Sequence, residues 1–112
     1  MIGVAEEHKK RIAMNEATYR TVNEAVRAEG SRGAIAFLCE CGRLGCNQLI
    51  ELSRAEYEAV RTNPRRFAIV PGHEIPDVED VVARHERYAV IEKHADTDDI
   101  VKPTDPRRPI DD

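Results

Sequence analysis

With 112 residues, 34% of them charged, 41% apolar and a net charge of −4, the chain has room for one domain and lacks the basic excess of a protein that grips duplex nucleic acid. Aromatic residues make up only 4%, with no Trp, so the expected core is small and aliphatic, and a metal staple would help so short a chain. No stretch approaches the roughly 20 apolar residues that span a bilayer, and Glu6-Glu7-His8-Lys9-Lys10-Arg11 interrupts any apolar leader, so a cytoplasmic protein with no membrane association is expected.

Residues 4–29 read as one helix. Ala5, Ile12, Tyr19 and Val26 recur every seventh residue, with His8, Asn15 and Val22 on the same stripe. The stripe is narrow and its flanks are charged. It suits either a helix lying across its own domain or a seam for a second subunit or partner helix. Gly30-Ser31-Arg32-Gly33 ends it, glycine being the usual left-handed cap.

Ala34 to Cys41 reads as a strand, with Ile35, Phe37, Cys39 and Cys41 on one face and Ala36, Leu38 and Glu40 on the other. Gly42 to Gly45 is a turn, and Gln48 to Leu52 the antiparallel return of a hairpin. Ser53-Arg54-Ala55-Glu56 is a capping box that opens a helix running to about Thr62, where Asn63-Pro64 stops it. Phe67 to Val70 is a strand and Pro71-Gly72 a turn. Asp77 is read as the cap of a short helix carrying Val78, Val81, Val82 and His85, and Tyr88 to Glu92 as a last strand. From Ala95 the chain is rich in Asp and Pro and poor in apolar groups, so a disordered tail is expected. The sum is an α+β protein with a long N-terminal helix (1–30), a metal-stapled α+β domain (31–94) holding a small antiparallel sheet and two short helices, and a tail (95–112).

The chemistry concentrates in Cys39-Glu40-Cys41-Gly42-Arg43-Leu44-Gly45-Cys46. Three cysteines leave an odd thiol in a disulfide framework, and in a reducing compartment such clusters are metal ligands or redox thiols. Zinc takes four ligands in a tetrahedron. Cys39, Cys41 and Cys46 supply three, and His73, aimed by the Pro71-Gly72 turn, is the expected fourth. His85 is the rival; His8 and His94 read as surface residues. Redox-active thiols without metal, and plain buried cysteines, are the alternatives; an iron–sulfur cluster normally wants four cysteines.

These pieces carry a resemblance. Asn15-Glu16 and Val22-Asn23-Glu24 in the first helix, Phe37-Leu38-Cys39-Glu40-Cys41 with Cys46, Leu52-Ser53 with Glu56-Tyr57-Glu58 and Val60-Arg61, Pro64, Phe67, Pro71-Gly72-His73-Glu74, and Tyr88 with Val90-Ile91-Glu92-Lys93 resemble a family of short actinobacterial proteins of uncharacterised function. The likeness covers roughly residues 11 to 94. It implies a cytoplasmic location and a cysteine–histidine metal site, and it imports no activity.

No catalytic constellation is evident. Glu40 and Glu74 are the carboxylates a metal-bound water would need as base, and both read as solvated. The zinc-deaminase pattern, the Walker loop, the dinucleotide fingerprint and the nucleophile elbow are all missing. The expected function is a non-catalytic zinc-stapled module that acts on a protein partner or self-associates through its first helix. A redox or zinc-release sensor is one alternative. Nucleic-acid association through Arg43, Arg61, Arg65 and Arg66 is another, opposed by the acidic balance.

Overall fold

The computed structural model describes residues 2–29, 33–43 and 45–108, with side chains from residue 6 onward. Helix α1 (Ile2–Glu29) is followed by the hairpin β1 (Ala34–Leu38) and β2 (Leu49–Ser53), then helix α2 (Arg54–Val60). Strands β3 (Arg66–Ile69), β4 (Glu79–Arg84) and β5 (Ala89–Lys93) form a second antiparallel sheet in the order β3-β5-β4. A 3-10 turn (Ala95–Thr97) and helix α3 (Asp98–Val101) come last. The architecture is α+β, as expected.

Strand alternation sets up the hairpin: Ile35 lies opposite Leu52 and Phe37 opposite Ile50, all four buried. The capping box closes as the sequence demands. Ser53 Oγ accepts the Glu56 N–H at 3.1 Å, and the Glu56 carboxylate accepts the Ser53 N–H at 2.8 Å. Helix α2 thereby aims Tyr57 and Val60 inward, and the Tyr57 ring stacks on Phe37 at 4.4 Å.

Strands β3 and β5 are buried on both faces. Ala68 and Val90 join the hairpin and α2 in one cluster. Phe67, Ile69, Ala89 and Ile91 join Ala13 of α1, Val101 of α3, and Cys39 and Cys41 in the other. The thiols therefore form part of a core layer between this sheet and the helices.

Four expectations change. The core is not simply aliphatic, because Phe37, Tyr57, Phe67 and Tyr88 are all buried. Residues 79–84, expected in a helix capped by Asp77, form strand β4. It pairs with β5, with Val81 opposite Ile91 and Ala83 opposite Val90, and a register shift between them leaves Val82 outside the ladder and exposed.

Helix α1 lies across its own domain, but of the described side chains of its heptad stripe Ile12 alone is buried. The buried positions are Ile12, Ala13, Glu16, Ala17, Arg20 and Asn23, a face turned by about a quarter-turn from the apolar stripe. Val22 is exposed; of the expected cap Gly30-Ser31-Arg32-Gly33, Gly33 has φ +89° and the other three lie outside the described residues, as does the side chain of Ala5.

The expected disordered tail is ordered over residues 95–108. Val101 and Asp105 are buried, and Arg20 Nη2 donates to the Val101 carbonyl at 2.9 Å. The segment gains by ion pairing what it lacks in apolar groups: Asp105 pairs with buried Arg61, and Arg107 bridges Glu24 at 2.9 Å and Glu58 at 2.7 Å. Residues 109–112 of the expected tail lie outside the described residues.

Candidate metal centre

After Leu38 the chain leaves β2 and bridges to the second sheet. Asn23 of α1 makes the crossing possible by acting as a substitute strand: its Oδ1 accepts the Leu38 N–H and its Nδ2 donates to the Leu38 carbonyl, each at 2.8 Å. Cys39 N–H then donates to Gln48 O at 2.9 Å, and Glu40 N–H to Ala68 O at 2.8 Å. The free edge of β3 is closed by side chains. Glu40 Oε1 accepts the Ala68 N–H at 2.9 Å, and Cys39 Sγ accepts the Val70 N–H at 3.1 Å.

Glu40 is thus no solvated base. It is fully buried, and its other oxygen accepts from Asn23 Nδ2 at 2.8 Å and Tyr57 OH at 2.7 Å. Burial pushes its carboxyl up, against these three donors, which favour the anion. Tyr57 rises in turn, through burial first and then through the Glu40 charge.

Two turns bring the remaining ligands in. Cys46 N–H closes on Arg43 O at 3.2 Å, with Gly45 at φ +80°. His73 N–H closes on Val70 O at 3.0 Å, with Pro71 second and Gly72 third at φ +94°, the arrangement of a type II turn. The knuckle also rests directly on α1. A Cβ added to Gly42 would overlap Ile12 Cγ2, and Asn15 Nδ2 donates to Gly42 O at 3.3 Å.

The outcome is a Cys39–Cys41–Cys46–His73 group whose ligand atoms all lie within 4.8 Å of one another. Nδ1 of His73 stands 3.6 Å from Cys39 Sγ and 3.7 Å from Cys46 Sγ. A tetrahedral zinc with bonds of about 2.3 Å to sulfur and 2.0–2.1 Å to nitrogen requires S···N edges of about 3.5 Å. The donor set and its spacing therefore fit such an ion. Cys39 and Cys41 are buried, Cys46 and His73 half-buried, and all three thiols are free of disulfides. Cys41 is pulled down to about 5, chiefly by the Cys39 thiol donating to it, and then by the Arg43 amide, His73 and Cys46. Cys39, the donor of that pair, is pushed up by the same bond and by burial. The two opposite shifts belong to one hydrogen-bonded thiol pair.

His85 does not join this group. It sits in the β4–β5 connection, its ring stacked on Tyr88 at 4.5 Å. His8 is exposed, and His94 faces Asp80 at 3.4 Å. The suggested basic patch is largely neutralised: Arg61 is buried between Glu24 and Asp105, Arg65 pairs with Asp98 at 2.6 Å, and Arg66 pairs with Glu92 at 3.0 Å. The roles of Glu40 and Asn23 were missed. An Asn on a helix and a Glu between two cysteines carry no signal of burial until the chain crossing that needs them is known.

Among the described residues no helix is long and apolar enough to cross a membrane. Comparison with protein-family models, with curated proteins and with solved structures finds no match, so the reading of this site rests on its own geometry.

Proposed function

We propose that the protein is a non-catalytic module in which a single zinc ion, held by Cys39, Cys41, Cys46 and His73, fixes a surface that a protein partner reads. The carrying observation is the Cys3His group, whose four ligand atoms lie within 4.8 Å of one another; four such ligands on one ion would leave no position for a reacting water. Burial of two of its thiols in the core supports a structural role. Of the two carboxylates adjacent to ligands in sequence, Glu40 is committed to holding β3 and Glu74 faces Arg84 at 3.7 Å. Clustered reduced thiols suit a cytoplasmic setting. Cobalt substitution tests the ligand set. A tetrahedral cobalt spectrum with sulfur-to-metal charge transfer, weakened in Cys46→Ser and shifted in His73→Asn, is expected; an octahedral spectrum would overturn it.

A second reading has its own observation. Cys46 is half-buried on a turn, unlike its two partners, and so is open to an oxidant. In a zinc-release sensor, mild peroxide would oxidise Cys46 and free the ion. Retention of the metal through that treatment leaves the structural role alone standing.

A further inference from the structure

The cationic side chains of the described residues are almost all answered. Among the described residues every lysine and arginine side chain has a carboxylate, carbonyl or aromatic partner except Lys10, Arg11 and Arg43. Those three are exposed, and all three line one groove of about 780 Å³ between α1 and the knuckle. Ile12, Met14 and Ile75 also line it, with Met14 exposed. Glu74 is the single carboxylate of the described lining, and it already faces Arg84 at 3.7 Å.

We propose that this groove docks an acidic segment of a partner protein, its carboxylates on Lys10, Arg11 and Arg43 and an apolar side chain against Ile12, Met14 and Ile75. The proposal rests on the interaction-module reading and gives it a surface and a partner chemistry. An anion is called for because three uncompensated cations meet at one place on a chain of net charge −4. A lone phosphate wants a closed cradle of buried donors, and none of the three cations is buried. A long polyanion such as nucleic acid meets the net negative field of the rest of the molecule. A short acidic segment answers the cations and covers the apolar lining together. The metal holds the far wall: Gly42 and Arg43 follow Cys41, and Glu74 follows His73. The groove therefore keeps its shape only while the four ligands stay together.

The test is fluorescence anisotropy on the full, zinc-loaded chain with a labelled peptide of Glu and Leu, a counterpart with Gln for Glu, a single-stranded oligonucleotide, and inorganic phosphate as competitor. The Glu peptide is expected to bind and the Gln peptide not to. Affinity is expected to fall with added salt, and by about tenfold in Lys10→Glu/Arg11→Glu, since two exposed ion pairs are lost. That variant leaves every candidate ligand in place, and Arg43→Glu provides the second wall. Chelation is expected to abolish binding. No binding, equal binding of the Gln peptide, affinity unchanged in the double variant, or preference for the oligonucleotide or phosphate would overturn the proposal. Metal content of the same samples separates the two failures. A zinc-loaded protein that ignores the peptide sinks only the groove, whereas a folded protein without metal sinks the module reading beneath it.

Discussion

Glu40 and Gly42 flank Cys41 and do opposite things. Glu40 fills a buried three-donor site formed by Asn23, Tyr57 and Ala68; Gly42 fills none, so that Ile12 can press against the backbone. Replacing Glu40 with Gln keeps the shape but turns an amide NH2 toward a donor. Urea unfolding should show a loss of about 1–3 kcal/mol with metal content unchanged; a wild-type midpoint would contradict the role given to this carboxylate. Gly42→Ala should lift the knuckle from α1 and cost about 1–3 kcal/mol, read as a lower melting temperature. At this scale the cysteines and His73 were legible in the sequence, because thiol spacing and a Pro-Gly turn are local signals. Glu40 was not. Its burial follows from a chain crossing between two sheets, and nothing adjacent in sequence announces it.

Elements divide the same way. The hairpin, α2 and β5 follow from alternation and from the Ser53 capping box, which are short-range. Strand β4 did not, because Val78, Val81 and Val82 also satisfy helical spacing, and β5 as a pairing partner decides between them. The inward face of α1 was hidden because Glu16, Arg20 and Asn23 take positions where apolar residues are sought. The C-terminal strap was read as disordered because its anchors are ion pairs with distant residues. Hydrogen bonding to Arg107 holds the Glu58 carboxyl below its usual range, and Glu24 is also lowered because Arg107 and Arg61 outweigh its burial. Both groups are depressed in the folded protein. Their contribution is therefore full above about pH 4.3, the unfolded glutamate value, and is lost as pH falls through the folded values. Amide-exchange protection factors over residues 95–108, with the intrinsic pH dependence of exchange divided out, should fall on acidification in the wild type and already be low at neutral pH in Arg107→Ala. Equal protection in both would remove the ion pairs from the account.

The whole molecule is stapled by polar groups as much as by its core. Lys93, with no exposed side-chain surface, lies 3.1 Å from Glu16 and 3.4 Å from Glu79, and so ties β5 to α1 and β4. Burial, and then repulsion from Glu79, push the Glu16 carboxyl well up, against the pull of Lys93. Lys93→Met should cost about 3–5 kcal/mol in chemical denaturation by stranding two buried acids, and Glu16→Gln in that background should recover part of it. The other staple is the Cys3His group, which draws together the hairpin exit, the knuckle and the β3 exit on one core layer. Its standing is tested most directly by elemental analysis of the native chain purified without chelator. One zinc per chain, falling toward none when Cys39 and Cys41 are replaced by Ser, is the predicted result. A folded native chain that carries no stoichiometric metal would contradict it.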